Sequence, residues 1–244
     1  MIRDLTAINV VLAFMLIVSF LGAIALHEWS HAFVASLLGD DTPQRAERQT
    51  LNLRSHIDPV GLILAIILSL QQVGVGPIPL GWGKPVTLDP WKMRVGPNIG
   101  VLIVSCAGMI FSLLVGLVVA ALTNLVYPFL AGNLITERIL QLLVVFSVTN
   151  VALAIFNLIP CYPLDGYQIL YTLLPSKQAV GFARSAPYGP FIIIALFFLL
   201  PFLGQLAGAG AFPLFHLAFY IFQLSQYLVN TIGGNIPIVY FWLL

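Results

Sequence analysis

"ALHEWSHAF", residues 25–33, sets His27, Glu28 and His31 inside a run that is otherwise apolar. Its flanks, "VVLAFMLIVSFLGAIA" (10–25) and "FVASLLG" (33–39), carry no charge. About 20 apolar residues cross a bilayer as a helix, and residues 7–38 supply that with excess. Ionisable side chains at membrane depth are costly enough to mark function by default. The fold turns on why three of them stand together in one span.

The rest of the chain has the same character. Of 244 residues 60% are hydrophobic and only 8% charged, and mean hydropathy is +1.01. Soluble domains are about half apolar and a quarter charged, so an all-α polytopic membrane protein is expected. A net charge of +1 argues against a nucleic-acid partner. Cys106 and Cys161 lie in apolar stretches and make neither a disulfide framework nor a zinc knuckle. A cleaved signal peptide is not expected, because the first apolar run is longer than the usual ~7–15 residues of such a segment.

Further along, Gly39 and "DDTPQRAERQ" (40–49) end the first helix. Residues 59–73, "PVGLILAIILSLQQV", are apolar but short for a crossing. "GVGPIPLGWGKPVTLDPW" (74–91), rich in Gly and Pro with alternating apolar positions, predicts a loop or small β-hairpin over 76–88. Spans are expected at 99–126, 139–159, 187–206 and 211–230. The expectation is five to six spanning helices in a single membrane-embedded domain, with a core over 7–175 and accessory helices over 187–230. Trp82, Trp91, Tyr240 and Trp242 suit interfacial anchoring.

Topology rests on the segment 59–73. If it is re-entrant, Arg45, Arg48, Arg54, Lys84, Lys92, Arg94, Lys177 and Arg184 share a face, opposite Arg3 and Arg138. If it crosses, the positive charges divide far more evenly. Positive charge collects in cytoplasmic loops, so re-entry is preferred, with the N-terminus outside.

His27 and His31 are four apart and share one helical face, where two imidazoles can take two corners of a zinc tetrahedron. Glu28 is adjacent but off that face, placed to take a proton from water at the metal. This is the HExxH pattern of hydrolytic zinc enzymes, rare by chance in a chain with four histidines and three glutamates. Catalytic zinc wants a third ligand and an open position. The candidate is Asp165 in "FNLIPCYPLDGYQIL" (156–170), where Pro160 and Pro163 open the helix and Gly166 lets the chain turn. The same residues also suit a surface Asp-Gly turn, and spacing alone leaves both readings open. His56, in "SHIDP", is either an active-site side chain that polarises the scissile carbonyl or a helix-start residue beside Asp58. His216 reads as a packed histidine and Cys161 as filler.

"HEWSH" in the first span, "NLIPCYPLDG" in a later one and the lack of a soluble domain resemble the site-2 protease family of intramembrane zinc metalloproteases. "LGDDTPQRAERQTLNLRSHIDPVG" (38–61) and "GWGKPVTLDPWKMR" (81–94) are similar to the connecting segments of its compact bacterial and archaeal branch without PDZ domains. The resemblance covers about residues 20–175. It implies one zinc ion per chain, held by His27, His31 and Asp165, with Glu28 as the catalytic glutamate and Asn157 at the substrate. It also implies transmembrane protein substrates and a bacterial or archaeal cell membrane. Two departures stand out. Where relatives carry Gly-Pro and Asn in the next span, this chain reads "CAGMIFSLL" (106–114), and "ERQTLNL" replaces the commoner Gly-Arg and Asn-Pro forms. Two other readings use the same residues: a metal transporter with His27, His31 and Asp165 as a transit site, and an inactive regulatory relative.

Overall fold

α1 (Val10–Leu38) runs 29 residues, about 44 Å at 1.5 Å per residue, and ends where Gly39 adopts φ +105°. The computed structural model describes residues 10–71, 78–130, 132–208 and 212–233. Two one-turn helices follow, α2 (Thr42–Arg45) and α3 (Leu53–His56). α4 (Pro59–Leu70) starts under the Asp58 carboxylate, which accepts from the Val60 and Gly61 amides at 3.0 and 2.9 Å. α5 (Pro97–Leu130) and α6 (Leu134–Phe156) are long, and Asn133 caps the second by accepting from the Ile135 amide. α7 (Asp165–Leu173) and α8 (Ser176–Ala183) are short; α9 (Gly189–Ile194) and α10 (Leu200–Leu206) are joined by a π-helical turn over Ala195–Leu199. That wider turn immediately precedes Pro201, whose ring would clash with the carbonyl four residues back in a regular helix. α11 (Leu217–Gly233) closes the described chain.

Among the described residues four helical segments are long and apolar enough to cross a membrane: Val10–Leu38, Pro97–Phe129, Leu134–Phe156 and Ser176–Leu206. The expected count of five to six is not confirmed among the described residues, for local reasons. The 59–73 stretch yields only the 12 residues of α4, about 18 Å against a hydrocarbon core of about 30 Å. The 211–230 stretch yields the 17 residues of α11 after a 3₁₀ turn at Pro213–His216. The segments on either side of α4 meet: the Lys84 amide donates to the His56 carbonyl at 2.7 Å, and Lys92 pairs with Asp41 at 2.9 Å. α4 and the chain after it therefore leave from and return to the same end of the bundle.

The expected hairpin is also replaced. Among the described residues the pairing is a single antiparallel bridge between Ile57 and Gly83, and residues 81–88 continue without a ladder after a tight turn in which the Leu80 amide bonds the Ile78 carbonyl at 3.1 Å. Pro79 and Pro85 lack the amide a ladder needs at their positions. Residues 76 and 77 of the predicted hairpin lie outside the described residues. The extended segment packs on α4 instead: a Cβ on Gly61 would stand 2.1 Å from the Trp82 carbonyl oxygen, an approach only glycine allows.

One hydrophobic core gathers Leu64 and Leu68 of α4, Leu80 and Trp82, Val148 and Phe156 of α6, Phe197, and Ala218 and Phe222 of α11. Phe20, Ala23 and Ile24 of α1 pack beside it against Ala65 and Leu153. Trp82 is thus a buried wall residue, not an interfacial anchor; Trp91 is exposed, and Tyr240 and Trp242 lie outside the described residues. His216 packs its ring on Phe219, with 6.5 Å between centroids.

Candidate metal centre

α1 delivers His27, Glu28 and His31, all buried. α5 lies antiparallel against it, and residues four apart on α5 serve the two histidines. His31 Nδ1 lies 2.7 Å from the Val104 carbonyl, which can only accept, so the proton is on Nδ1 and the Nε2 lone pair points away. His27 Nδ1 lies 3.0 Å from the Ser112 hydroxyl. Between them Gly108 lets both rings touch the α5 backbone; a Cβ there would stand 2.3 Å from His31 Nε2. The "CAGMIFSLL" departure therefore supplies the backing of both imidazoles. Sequence reading missed Ser112 and Gly108, and their four-residue spacing, matching that of His27 and His31, was the available signal.

The third group arrives on the first turn of α7. α6 stops at Phe156, and Asn157 organises the break. Its Nδ2 donates to the Leu153 carbonyl at 2.9 Å, its carbonyl accepts from the Gly166 amide at 2.7 Å, and its Oδ1 faces the Asp165 amide at 3.5 Å. Asp165 then sets Oδ2 3.0 Å from His27 Nε2 and Oδ1 3.2 Å from His31 Nε2. Burial pushes the Asp165 carboxyl up, but the imidazoles of His31 and His27 outweigh it and hold it well below the ordinary carboxylate range.

These three residues form the group, among the described residues, whose donor atoms could hold a metal ion, all within 4.8 Å of one another. The fit to zinc is good. Ligand atoms about 2.0–2.1 Å from a tetrahedral ion stand about 3.3 Å apart, close to the observed separations. Asp165 Oδ2 is buried without a hydrogen-bond donor, as an atom reserved for a cation would be. His31, Asp165 and Glu28 open onto a cavity of about 540 Å³, which leaves room for a further ligand. Val86, Leu88 and Asn157 help to line it.

Glu28 reaches this cavity beside the triad. Its Oε2 has no hydrogen-bond partner and stands 3.7 Å from an Arg48 guanidinium nitrogen. Gly83 crowds its other side, where a Cβ would lie 2.7 Å from Oε1. His56 is not brought to the triad. It is fully buried, its Nε2 bonds the Thr50 carbonyl at 2.6 Å, and burial lowers its imidazole pKa. Cys161 stays outside the metal group; its thiol faces the Gly189 carbonyl at 3.5 Å.

The chain is similar to three curated proteins. "Putative zinc metalloprotease YwhC" of Bacillus subtilis is 29% identical over 188 residues, 76% of this chain and 80% of the relative. Two proteins named "Putative zinc metalloprotease Rip2", from Mycolicibacterium smegmatis and Mycobacterium tuberculosis, are each 26% identical, over 96% and 93% of this chain and 83% and 80% of their own lengths. No family model matches the chain, and no solved structure matches it. With an HExxH pair and a distant aspartate brought together in apolar helices, and relatives named as putative zinc metalloproteases along most of its length, the chain is similar to zinc metalloproteases, in line with its resemblance to the site-2 protease family.

Proposed function

We propose that this protein is an intramembrane zinc metalloprotease that hydrolyses peptide bonds within or near transmembrane segments of its substrates. The observation that carries this reading is the convergence of His27, His31 and Asp165 on one point beside a buried glutamate, at a cavity walled by membrane-length helices. A transit site would need the three donors and no adjacent Glu28. One zinc ion per chain fits the donor set. The chain works as a single multi-pass domain in a bacterial or archaeal cell membrane.

Zinc, when bound, supplies the Lewis acidity that brings water deprotonation near neutral pH. Glu28 accepts the proton of the attacking water and returns it to the leaving amine nitrogen. Its carboxylate stands between the Gly83 backbone and the more distant Arg48 guanidinium. Asn157 spends one Nδ2 hydrogen on Leu153, leaving the other for the developing oxyanion. A substrate helix must unwind, because its carbonyls are otherwise engaged. The amides of Val86, Thr87 and Leu88 donate to no backbone group among the described residues, so this edge can receive an extended substrate strand.

Purification in detergent with metal analysis, followed by incubation with a panel of single-span proteins, tests the reading. About one zinc per chain and zinc-dependent cleavage of at least one substrate are expected, by the three-ligand count. Stoichiometric zinc with no cleavage across a broad panel, or no zinc at all, would refute it.

A further inference from the structure

Arg48 is the one residue of the polar 40–52 loop that carries a positive charge into the protein: its side chain is 8% exposed, whereas that of Arg45 is 76% exposed. The backbone is bent to put it there. Glu47 adopts φ +54°, rare for a residue with a Cβ, and the Arg48 amide bonds the Pro43 carbonyl at 2.9 Å, closing a turn that faces the side chain inward. Strained backbone persists where the surroundings fix it, and such positions cluster at functional sites.

The buried guanidinium touches two things. One nitrogen donates to the Lys84 carbonyl, on the extended segment that walls the cavity. The same nitrogen stands 3.7 Å from Glu28 Oε2. A structural ion pair in a buried place is normally closed, at about 2.7–2.9 Å, and two-pronged. This one is open: Glu28 Oε2 and Arg48 Nε are both buried and both lack a hydrogen-bond partner. Two complementary unsatisfied groups at arm's length cost stability, so neighbouring groups keep them apart for another use. Contacts of catalytic groups are commonly long without substrate and tighten in the complex.

We propose that Arg48 is a positioning residue that links the substrate-receiving segment 83–88 to Glu28. Through the Lys84 carbonyl it registers where that segment lies, and through its guanidinium it aims the Glu28 carboxylate. Docking of an extended substrate strand on the segment closes the Arg48–Glu28 pair and orients the carboxylate. The inference rests on the reading of Glu28 as proton acceptor.

Arg48→Gln, Arg48→Lys and Arg48→Ala in the full-length protein separate this from a structural brace. The measurements are zinc content, thermal unfolding, and kcat and KM on a single-span reporter whose cleavage region carries helix breakers. Zinc content within a factor of two of wild type is expected, with KM changed less than about threefold. kcat should fall about 10- to 100-fold in Arg48→Gln, the range of a misplaced catalytic group. Arg48→Lys should recover part of the loss, and added guanidinium should raise kcat of Arg48→Ala without changing its KM. Unchanged kcat, or a loss confined to KM, overturns the proposal. Loss of folding or of zinc in all three variants overturns it too, because Arg48 would then be a brace. A wild-type protein that binds zinc but cuts nothing would instead fail the protease reading, before Arg48 is in question.

Discussion

Gly108→Ala adds one methyl group at the back of the metal centre. Its Cβ would lie 2.3 Å from His31 Nε2, 2.4 Å from His31 Cε1 and 2.8 Å from His27 Cε1. Unstrained contacts of this kind need about 3.5 Å, so one or both rings must move by roughly 1 Å. Metal–ligand distances tolerate only about 0.2 Å. Neither ring can swing freely, because Ser112 and the Val104 carbonyl hold their far nitrogens. Loss of one ligand bond is the expected result. If about 10–16 kcal/mol for a four-ligand zinc site is shared evenly, that bond is worth about 3 kcal/mol, or roughly 10²-fold in affinity. The helix itself gains slightly, since Ala is favoured over Gly by about 1 kcal/mol in a helix interior. Zinc affinity is measured by chelator competition, with circular dichroism confirming the helices. Gly116→Ala, two turns further on, is the control. Its Cβ would meet Val151 Cγ2 at 2.7 Å and the Ser147 carbonyl at 2.8 Å, jamming α5 against α6 away from the metal. It should lower thermal stability and leave zinc affinity alone. Wild-type affinity in Gly108→Ala would refute the account of how α5 backs the histidines.

Glu28→Gln should keep zinc and fold yet lose cleavage by at least about 10²-fold, because an amide cannot accept the proton; near-wild-type turnover in detergent would remove the role given to Glu28. Asn157→Ala should weaken zinc binding as well as turnover, since it frees the backbone that places Asp165, and chelator competition reads that directly. Cysteines at Arg45, Lys92 and Val180, all partly or well exposed, should label from one side with an impermeant reagent, whereas opposite labelling at 45 and 92 would mean that α4 crosses. Thr87→Pro removes one amide from the cavity edge without touching the triad. It should impair cleavage of a stable transmembrane helix more than of one already broken, and equal effects on both would refute strand addition there.

The His27, His31 and Asp165 group was legible because metal-ligand chemistry is tied to residue type and spacing. Two histidines four apart in an apolar helix have few other uses, and a proline-broken segment ending in Asp-Gly is a recognisable way to return a carboxylate. What surrounds them was less legible. Ser112 and the Val104 carbonyl act across a helix seam; a backbone group there carries no sequence signature of its partner, and Ser112 left only its four-residue spacing from Gly108. His56 looked available because histidine is rare here, yet its position is decided by a local bond to Thr50 that composition does not reveal. The hairpin was overestimated for a similar reason. Alternation of apolar residues over 78–86 reflects packing on α4, and the prolines that prevent a ladder were present in the same stretch. Arg48 was counted only as a loop charge, because inward orientation depends on the backbone of Glu47.

Asp165 and His31 lie far apart in the chain, on α7 and α1, and meet only at their side chains. An ion shared by them closes a very long loop, so it acts as a cross-link that exists only while free zinc is available. Such a link stabilises by mass action, about 2.7 kcal/mol when free ligand is 100 times its dissociation constant. Resistance of the protein to unfolding is then expected to follow the zinc supply around it.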